Sequence, residues 1–147
     1  MKVVIQRVLS ASVEVNSEIV SKIGNGYLVY LGIKTGDSIM NTEFLAKKCC
    51  SLRVFEDENE KMNLSLKDVC GELLVVSQFT LYGDAQKGNR PSFTDAAKPD
   101  VAIILFNKFV QICKNILGEE KVKTGRFREM MKIESVNFGP VTILIEN

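Results

Sequence analysis

Ser77, Gln78 and Thr80 follow directly after an apolar run, and their types and spacing suit a reaction site. Residues 73–76 are all apolar, which predicts a strand that is covered on both faces. Two hydroxyls, one amide and the neighbouring backbone N–H groups would then extend from a rigid support. The chain contains no histidine, so catalysis here must work without the commonest general base. That excludes Ser–His and Cys–His chemistry.

Two further segments carry cationic side chains that suit a phosphate-bearing ligand. The loop over residues 82–93 is punctuated by glycines and carries Lys87 and Arg90. Loops of that length without structure of their own are often functional, although a solvated loop is the plainer interpretation. Residues 124–128 place Arg126 beside a glycine, which fits either a surface loop or an RNA-facing rim.

The pair Gly139–Pro140 interrupts an otherwise strand-like C-terminal region. Proline cannot donate to a strand ladder, so the pair marks an edge, a turn or a cis bond. Only about 5–6% of X–Pro bonds in folded proteins are cis. Spacing alone therefore does not predict a cis bond here.

The composition predicts one domain that spans residues 1–147. A chain of this length buries about 70% of the surface that its unfolded form exposes. Hydrophobic residues make up 46% of the chain, which is enough for a core without disulfides. The formal net charge is +1. This charge does not predict a strongly basic surface of the kind that binds nucleic acid, so RNA binding would require a local basic patch.

The four cysteines, Cys49, Cys50, Cys70 and Cys113, form no C-x-x-C pair. Without histidine they lack the ligands for a zinc site, so we expect no metal. Most lie within apolar patterns and are expected to be buried free thiols, which is typical of the cytoplasm. Charge from Lys2 onwards argues against a secretory signal. Apolar runs fall short of the ~20 residues that a membrane span requires.

The remaining pattern is rich in strands and contains two helices. Strands are predicted at residues 2–8, 11–15, 19–23, 27–33, 52–55, 72–79, 130–136 and 141–145. One helix of about three turns begins after Asp37 or Ser38 as its cap. The other begins at Pro99 and ends at Gly118. This order favours a mixed sheet with helices packed on one side.

At this point the chain resembles a known family, the D-aminoacyl-tRNA deacylases of the bacterial and eukaryotic type. Each motif alone is weak, but together and in order they are specific, and they span essentially the whole chain. They are Val4-Ile5-Gln6-Arg7-Val8, Ser77-Gln78-Phe79-Thr80-Leu81, Lys87-Gly88-Asn89-Arg90-Pro91-Ser92-Phe93 and Asn137-x-Gly139-Pro140-Val141-Thr142.

The resemblance implies a fold, an activity and an assembly. The fold would be α/β, with three layers in the order α/β/β, mixed sheets and two main helices, and the protein would be a homodimer. The activity would be hydrolysis of the ester in D-aminoacyl-tRNA, with no cofactor, no membrane and no DNA partner. For such an activity, the cationic side chains already singled out in the two loops, Lys87, Arg90 and Arg126, are the expected tRNA contacts.

The resemblance also assigns the site residues. Gly139–Pro140 would be cis and would enter the active site of the other subunit, with Arg7 orienting its backbone. Met131 would line the pocket. The residues around the aminoacyl group would be Ser77, Gln78, Phe79 and Thr80.

A rigid backbone wall against the α-carbon rejects an L side chain by its direction and leaves a D side chain free. Such a wall cannot reject glycine, because glycine has no side chain that would collide with it. The same reasoning therefore predicts that glycyl-tRNA is also a substrate, especially when it is mischarged.

The mechanism leaves two routes open at Thr80. Its hydroxyl is a possible nucleophile, but no side-chain base accompanies it in the motif. Because aminoacyl esters are already labile, positioned water and backbone N–H groups near Phe79 and Thr80, with the terminal 2′-hydroxyl, can suffice. We favour this second route.

The chain departs from the family pattern at three positions, in two segments near the expected pocket. Arg128 and Glu129 replace a glycine and a small residue after Phe127, and Phe138 replaces a common aspartate. Neither change touches the Ser77–Thr80 segment, so activity is expected to survive.

Two other functions remain open from the sequence. One is a non-catalytic module that binds aminoacyl-tRNA without releasing the amino acid. The other is a hydrolase of different esters that uses Ser77 or Thr80. A purely structural dimeric scaffold is the plainest alternative.

Overall fold

A computed structural model describes all residues from 1 to 147. Short 3-10 turns lie at Phe79–Tyr82 and Glu119–Lys121. The elements in chain order are β1 (Lys2–Val15), β2 (Glu18–Ile23), β3 (Gly26–Gly32), α1 (Ile39–Ser51), β4 (Arg53–Glu56), β5 (Met62–Ser65), β6 (Glu72–Ser77), α2 (Pro99–Leu117), β7 (Val122–Thr124) and β8 (Lys132–Glu146).

Strand β1 organises a mixed sheet of six strands. One of its edges pairs antiparallel with β3 over residues 2–8 and with β2 over residues 11–15. Its other edge pairs antiparallel with β8 along nearly the whole length of both strands. On the far side of β3, the strands β6 and β7 continue the sheet in parallel. Strand β8 therefore forms one edge of the sheet, while β4 and β5 make a separate hairpin.

The apolar run at residues 73–76 forms the buried strand that the sequence predicted. All four side chains are at most 1% exposed. Because side chains alternate along a strand, Leu73 and Val75 join the larger core under the helices, while Leu74 and Val76 join a second core on the opposite face. Strand β6 is thus fixed from both sides.

The helical layer covers one face of the sheet. Ser38 caps α1, and its backbone N–H donates to Asn41 Oδ1 at 2.9 Å. Helix α2 begins at Pro99 and ends before Gly118, whose φ of +109° suits a residue without a Cβ. These helix boundaries are as predicted.

A second β layer covers the opposite face. The second core joins Val13 and Val15 of β1 to Leu28 and Leu74 of the central strands. Strand β2 also contacts β6 and β7, although it pairs with neither, and the hydroxyl of Ser21 donates to the carbonyl of Thr124. One sheet therefore curls over itself. The α/β class with two main helices is confirmed, and the layers follow the order α/β/β.

Two expected strand breaks are absent. The sequence predicted that β1 would stop near Leu9 and that β8 would stop at residues 137–140. Both strands continue, and their mutual register shifts on either side of Val8. Such bulges keep most of the ladder and redirect side chains. The strand predicted to reach Phe79 ends at Ser77 instead, and the short strands β5 and β7 were not predicted.

The four cysteines are free thiols, as predicted. Cys49, Cys50 and Cys113 are buried in the main core, whereas Cys70 is exposed. Burial raises the pKa of the Cys49 thiol, with a further contribution from neighbouring Cys50. Cys49 therefore stays protonated at neutral pH. None of the helices is both long and apolar enough to cross a membrane.

Gly26 provides a test of how closely β3 approaches β6. A Cβ at this position would lie 1.9 Å from the carbonyl oxygen of Glu72, a distance that forces backbone movement. We expect Gly26→Ala to lower the free energy of unfolding by about 3 kcal/mol, at the upper end of overpacking costs, in a urea titration.

Gly24→Ala is the matched control for this change. Its added Cβ would lie 3.5 Å from the side chain of Glu72, an ordinary contact. Equal losses in the two variants would show that the approach of β3 to β6 is not as tight as described.

Candidate active site

The main pocket is a cavity of about 650 Å³ on one side of the central strands. Its floor includes Leu31 of β3 and Val76 of β6, and its walls include Ala102 of α2 and Ile133 of β8. Twelve of its 18 lining residues are hydrophobic. A largely apolar cavity of this volume suits one small organic group with a few fixed polar contacts.

Three of the predicted site residues line the main pocket where β6 ends, namely Ser77, Gln78 and Phe79. The chain stays attached to the sheet at this point, since the backbone N–H of Gln78 donates to the carbonyl of Leu31 at 2.8 Å. A 3-10 turn then begins at Phe79 and carries Thr80 past the pocket. The site is therefore continuous with a strand that is immobilised on both faces.

The turn presents two backbone donors without partners in the chain. The first N–H groups of a helical turn have no acceptor inside it, and those of Phe79 and Thr80 donate to no other loop or turn group. Paired N–H groups at the mouth of an apolar pocket are suitable donors for a developing oxyanion.

Thr80 has no base beside it. Its hydroxyl oxygen accepts a hydrogen bond from the side-chain amide of Gln78, which cannot remove a proton. The ionisable side chains that line the pocket are Lys98, Arg128 and Glu129. The arrangement is therefore better suited to positioning a substrate and stabilising negative charge on it than to activating the hydroxyl of Thr80.

Phe79 and Phe93 join the basic loop to the rim of the pocket. Their rings pack edge to face with centroids 5.1 Å apart, and both line the cavity. Beyond them, Asp84 and Ser92 exchange two backbone hydrogen bonds of 2.8 Å, which closes the loop. Lys87 and Arg90 lie in this loop, exposed and outside the pocket lining.

Met131 lines the main pocket, and Gly125 lets it pack closely there. A Cβ at Gly125 would lie 2.6 Å from the sulfur of Met131. The backbone N–H of Gly125 donates to the carbonyl of Val75 at 3.0 Å, so this segment is tied to β6 as well. The thioether is therefore held against the backbone at the pocket wall.

Arg7 belongs to a second group of site residues. It is 3% exposed, and its guanidinium contacts two strands, β4 and β8. Nη1 donates to the carbonyl of Val54 at 2.7 Å, and Nε donates to the carbonyl of Phe138 at 3.0 Å. Nη2 lies 3.5 Å from a carboxylate oxygen of Glu56, and the ring of Phe138 lies 5.1 Å from the guanidinium carbon.

Gly139–Pro140 follows the carbonyl that Arg7 holds, and its peptide bond is cis, as the resemblance implied. Gly139 has a φ of +121°, and a Cβ there would lie 3.0 Å from Nη2 of Arg7. Both residues are exposed, and neither they nor Arg7 line the main pocket. Along β8 the pair lies eight residues beyond Met131, about 26 Å at the rise of an extended strand.

The structure thus divides the predicted residues into two groups on one chain. Around the main pocket it brings together the Ser77–Thr80 segment and Met131, and around Arg7 it brings together Gly139 and Pro140. Arg126 belongs to neither group, because it does not line the main pocket and does not contact Arg7; its guanidinium lies 3.9 Å from the carboxylate of Glu129.

Sequence reasoning missed much of the pocket wall. Ala96, Ala97, Lys98 and Ala102 line it around the start of α2, and Phe127, whose ring packs against Phe106 of that helix, lines it as well. Three small side chains around the start of a helix are the one available signal, because they leave room for a cavity. Phe127 carries no such signal, since its position depends on packing against α2.

The comparisons with known proteins agree along the whole chain. The sequence model described as D-Tyr-tRNA(Tyr) deacylase matches residues 4–146. A D-aminoacyl-tRNA deacylase of Thermosipho africanus is 52% identical over 147 residues, covering 100% of this chain and 97% of that protein. One of Desulfatibacillum aliphaticivorans is also 52% identical over 147 residues, covering 100% and 99%.

Two solved structures share the fold. One, named "c-Myc DNA Unwinding Element Binding Protein", has a TM-score of 0.95 and 41% sequence identity and covers 100% of this chain and 99% of that chain. The other, named "Structural Analysis of a probable eukaryotic D-amino acid tRNA deacylase", has a TM-score of 0.83 at 18% identity. It covers 98% of this chain and 97% of that chain, and it supports the fold alone.

Arg7 provides a test of how the second group is held. Arg7→Lys keeps the charge but loses the geometry that reaches the carbonyls of Val54 and Phe138 together. We expect a loss of about 2 kcal/mol in the free energy of unfolding, because buried acceptors lose their donor. The measurement is chemical denaturation.

Glu56→Gln is the control for the ion pair. Because the side chain of Glu56 is 46% exposed, its contact with Arg7 is worth under about 1 kcal/mol. A larger loss in Glu56→Gln than in Arg7→Lys would show that the ion pair, and not the two carbonyls, fixes the guanidinium.

Proposed function

The chain belongs to the D-aminoacyl-tRNA deacylase family, hydrolases that act on aminoacyl-tRNA, and from this we propose that a second copy of the chain completes its active site. In this proposal the main pocket receives the aminoacyl group at the 3′ end of tRNA. The observation that carries it is the pair of unpartnered N–H groups at Phe79 and Thr80, at the edge of an apolar pocket.

The pocket of one chain has no chiral wall of its own. Gly139–Pro140 is exposed and held by Arg7 outside the pocket lining. A surface that is fixed so firmly by a buried cation, and yet faces outward, suits insertion into another molecule. We assign it to the pocket of the second copy.

Strand β8 supports the assembly. Its outer edge has no partner in this chain, and the exposed side chains along it include Val136, Phe138 and Leu144. Long apolar edge strands invite pairing with another chain unless they are covered. In a two-fold symmetric dimer each surface is used twice, so two shared sites form, each from the pocket of one copy and the wall of the other.

Discrimination follows from the backbone wall. Gly139 and Pro140 would face the α-carbon of the substrate, where an L side chain collides with them and a D side chain points away. Glycine has no side chain at either position and is accepted. The selectivity therefore depends on steric fit and requires no chemical recognition of the amino acid side chain.

Hydrolysis in this proposal relies on positioning and charge stabilisation. The ester carbonyl oxygen would accept hydrogen bonds from the N–H groups of Phe79 and Thr80 as negative charge develops on it. One such donor is typically worth about 10²–10³ in rate. Water, oriented with help from the 2′-hydroxyl of the terminal adenosine, is the nucleophile, and no step requires a cofactor.

The partners follow from the reaction. In this proposal the substrate is tRNA charged with a D-amino acid or glycine, and we expect the enzyme to act in the cytoplasm. Lys87 and Arg90 in the exposed loop, together with the exposed Arg126, are the side chains that we expect to contact the RNA. Because the net charge is only +1, we expect no duplex DNA partner.

Hydrolysis of matched substrates tests the wall. We expect D-tyrosyl-tRNA to be hydrolysed at least about 100-fold faster than L-tyrosyl-tRNA, since a clash of a few kcal/mol gives that ratio. Glycyl-tRNA should be hydrolysed as well. Release of radiolabelled amino acid at equal enzyme concentration measures all three. Equal protection of glycyl- and L-tyrosyl-tRNA would refute the wall.

A matched pair of glycine variants locates the discrimination. Gly139→Ala adds a Cβ against Arg7 and Val141 at a φ of +121°, so it should displace the wall and lower the D/L ratio. Gly36→Ala introduces a similar backbone strain, since Gly36 has a φ of +91°, but its added Cβ would have no neighbouring atom within 4 Å. This variant should leave the D/L ratio unchanged. A ratio that survives Gly139→Ala would place the discrimination elsewhere.

Two substitutions separate the hydroxyl route from the backbone route. Thr80→Ala should keep kcat within about tenfold. Phe79→Pro removes one N–H at the first position of a helical turn, which proline tolerates, and should lower kcat by about 10²-fold. Single-turnover hydrolysis of D-tyrosyl-tRNA measures both.

Phe79→Ala is the control for Phe79→Pro, since it loses the same ring and keeps the N–H. Near-complete loss of turnover in Thr80→Ala with binding intact would instead establish the hydroxyl as nucleophile. Equal kcat in Phe79→Pro and Phe79→Ala would exclude the N–H of Phe79 as a donor.

A further inference from the structure

Arg128 has an unusual backbone conformation at the mouth of the main pocket. Its φ is +65°, in the left-handed region that favours glycine and that longer side chains adopt at a cost. The preceding Phe127 packs against Phe106 with ring centroids 5.8 Å apart, which fixes the chain there. A glycine would adopt this conformation freely. The strain at Arg128 thus accompanies a long cationic side chain placed at the pocket.

Arg128 and Lys98 are the two cationic side chains that line the pocket. Neither takes part in any ion pair or side-chain hydrogen bond of the chain. Glu129, the one carboxylate in the lining, lies instead near Arg126. The two cations are therefore free to bind an anion that approaches the mouth.

We propose that Arg128, with Lys98, binds the phosphodiester that precedes the terminal nucleoside of the tRNA. This rests on the proposed function, because an aminoacyl-nucleoside that fills the apolar pocket leaves its 5′ phosphate as the nearest anion outside. A guanidinium matches phosphate oxygens in bidentate geometry. With a net charge of +1, the chain depends on such local contacts for RNA affinity.

The strain argument points to the same function. Residues held in sparsely populated conformations persist where the surrounding structure enforces them, often at functional sites. Here the enforced conformation occurs at a residue whose long cationic side chain lines the largely apolar pocket. The contribution of Arg128 to substrate binding would then offset the cost of its strained backbone.

Arg128→Gly tests the proposal because we expect it to maintain or raise the stability of the protein and to weaken substrate binding. Removing the Cβ relieves the backbone conflict, so the melting temperature should stay equal or rise by about 2–4 °C. Loss of the guanidinium should raise KM for D-tyrosyl-tRNA about fivefold and leave kcat within twofold. The slope of log KM against log salt should fall by about 0.7, the value for one contact to a single strand.

Two variants control for charge and for backbone. Lys108→Ala removes one positive charge ten residues beyond Lys98 on α2, about 15 Å along the helix, and should leave KM and the salt slope unchanged. Arg128→Lys keeps both the charge and the Cβ. It should retain the salt slope while losing part of the affinity.

A binding measurement separates this proposal from the proposed function. Fluorescence anisotropy of a labelled, uncharged acceptor stem ending in single-stranded CCA reports on Arg128 without any hydrolysis. If the wild-type protein fails to deacylate D-tyrosyl-tRNA, the proposed function fails, and the anisotropy still decides whether Arg128 binds phosphate. If Arg128→Gly keeps the salt slope of the wild-type protein, the phosphate contact is refuted. This holds whether binding is unchanged or is weaker because stacking on a base is lost. A lower melting temperature with no change in KM would also refute it.

Discussion

The burial of β6 on both faces is the constraint on which the site depends. Leu73 and Val75 are fixed by the core under the helices, and Leu74 and Val76 by the core under the curled part of the sheet. The turn that follows therefore starts from a backbone that is packed on both faces. Donors that are fixed before the substrate arrives need no reorganisation as charge develops, which is how a chain without histidine can support ester hydrolysis.

Arg7 provides the corresponding rigidity on the other half of the proposed site. Its guanidinium joins the carbonyl of Val54 to that of Phe138, and the pair Gly139–Pro140 follows directly. A buried cation without partners would be costly, so these bonds are needed for the fold as well as for the wall. The pocket and the wall are each rigid, and they occupy different places on one chain.

The sequence predicted those parts that depend on local pattern. The apolar run of β6, the cap at Ser38 and the limits of α2 follow from side-chain type alone. The continuity of strands β1 and β8 could not be predicted in this way, because bulges near Val8 shift the register of the two strands without ending their pairing. The left-handed conformation of Arg128 depends on the tertiary path around Phe127. The importance of Gly139–Pro140 came from family resemblance, since spacing alone left its conformation open.

The central claim is that two copies of the chain share each active site. The most direct test is a crystal structure of the protein with a D-tyrosyl group joined to adenosine by a non-hydrolysable 3′-amide. The account predicts that the carbonyl oxygen of the ligand lies within hydrogen-bond distance of the N–H groups of Phe79 and Thr80. It also predicts that the α-carbon packs against Gly139–Pro140 of a second copy. A ligand bound in the main pocket with no contact from another chain would contradict it.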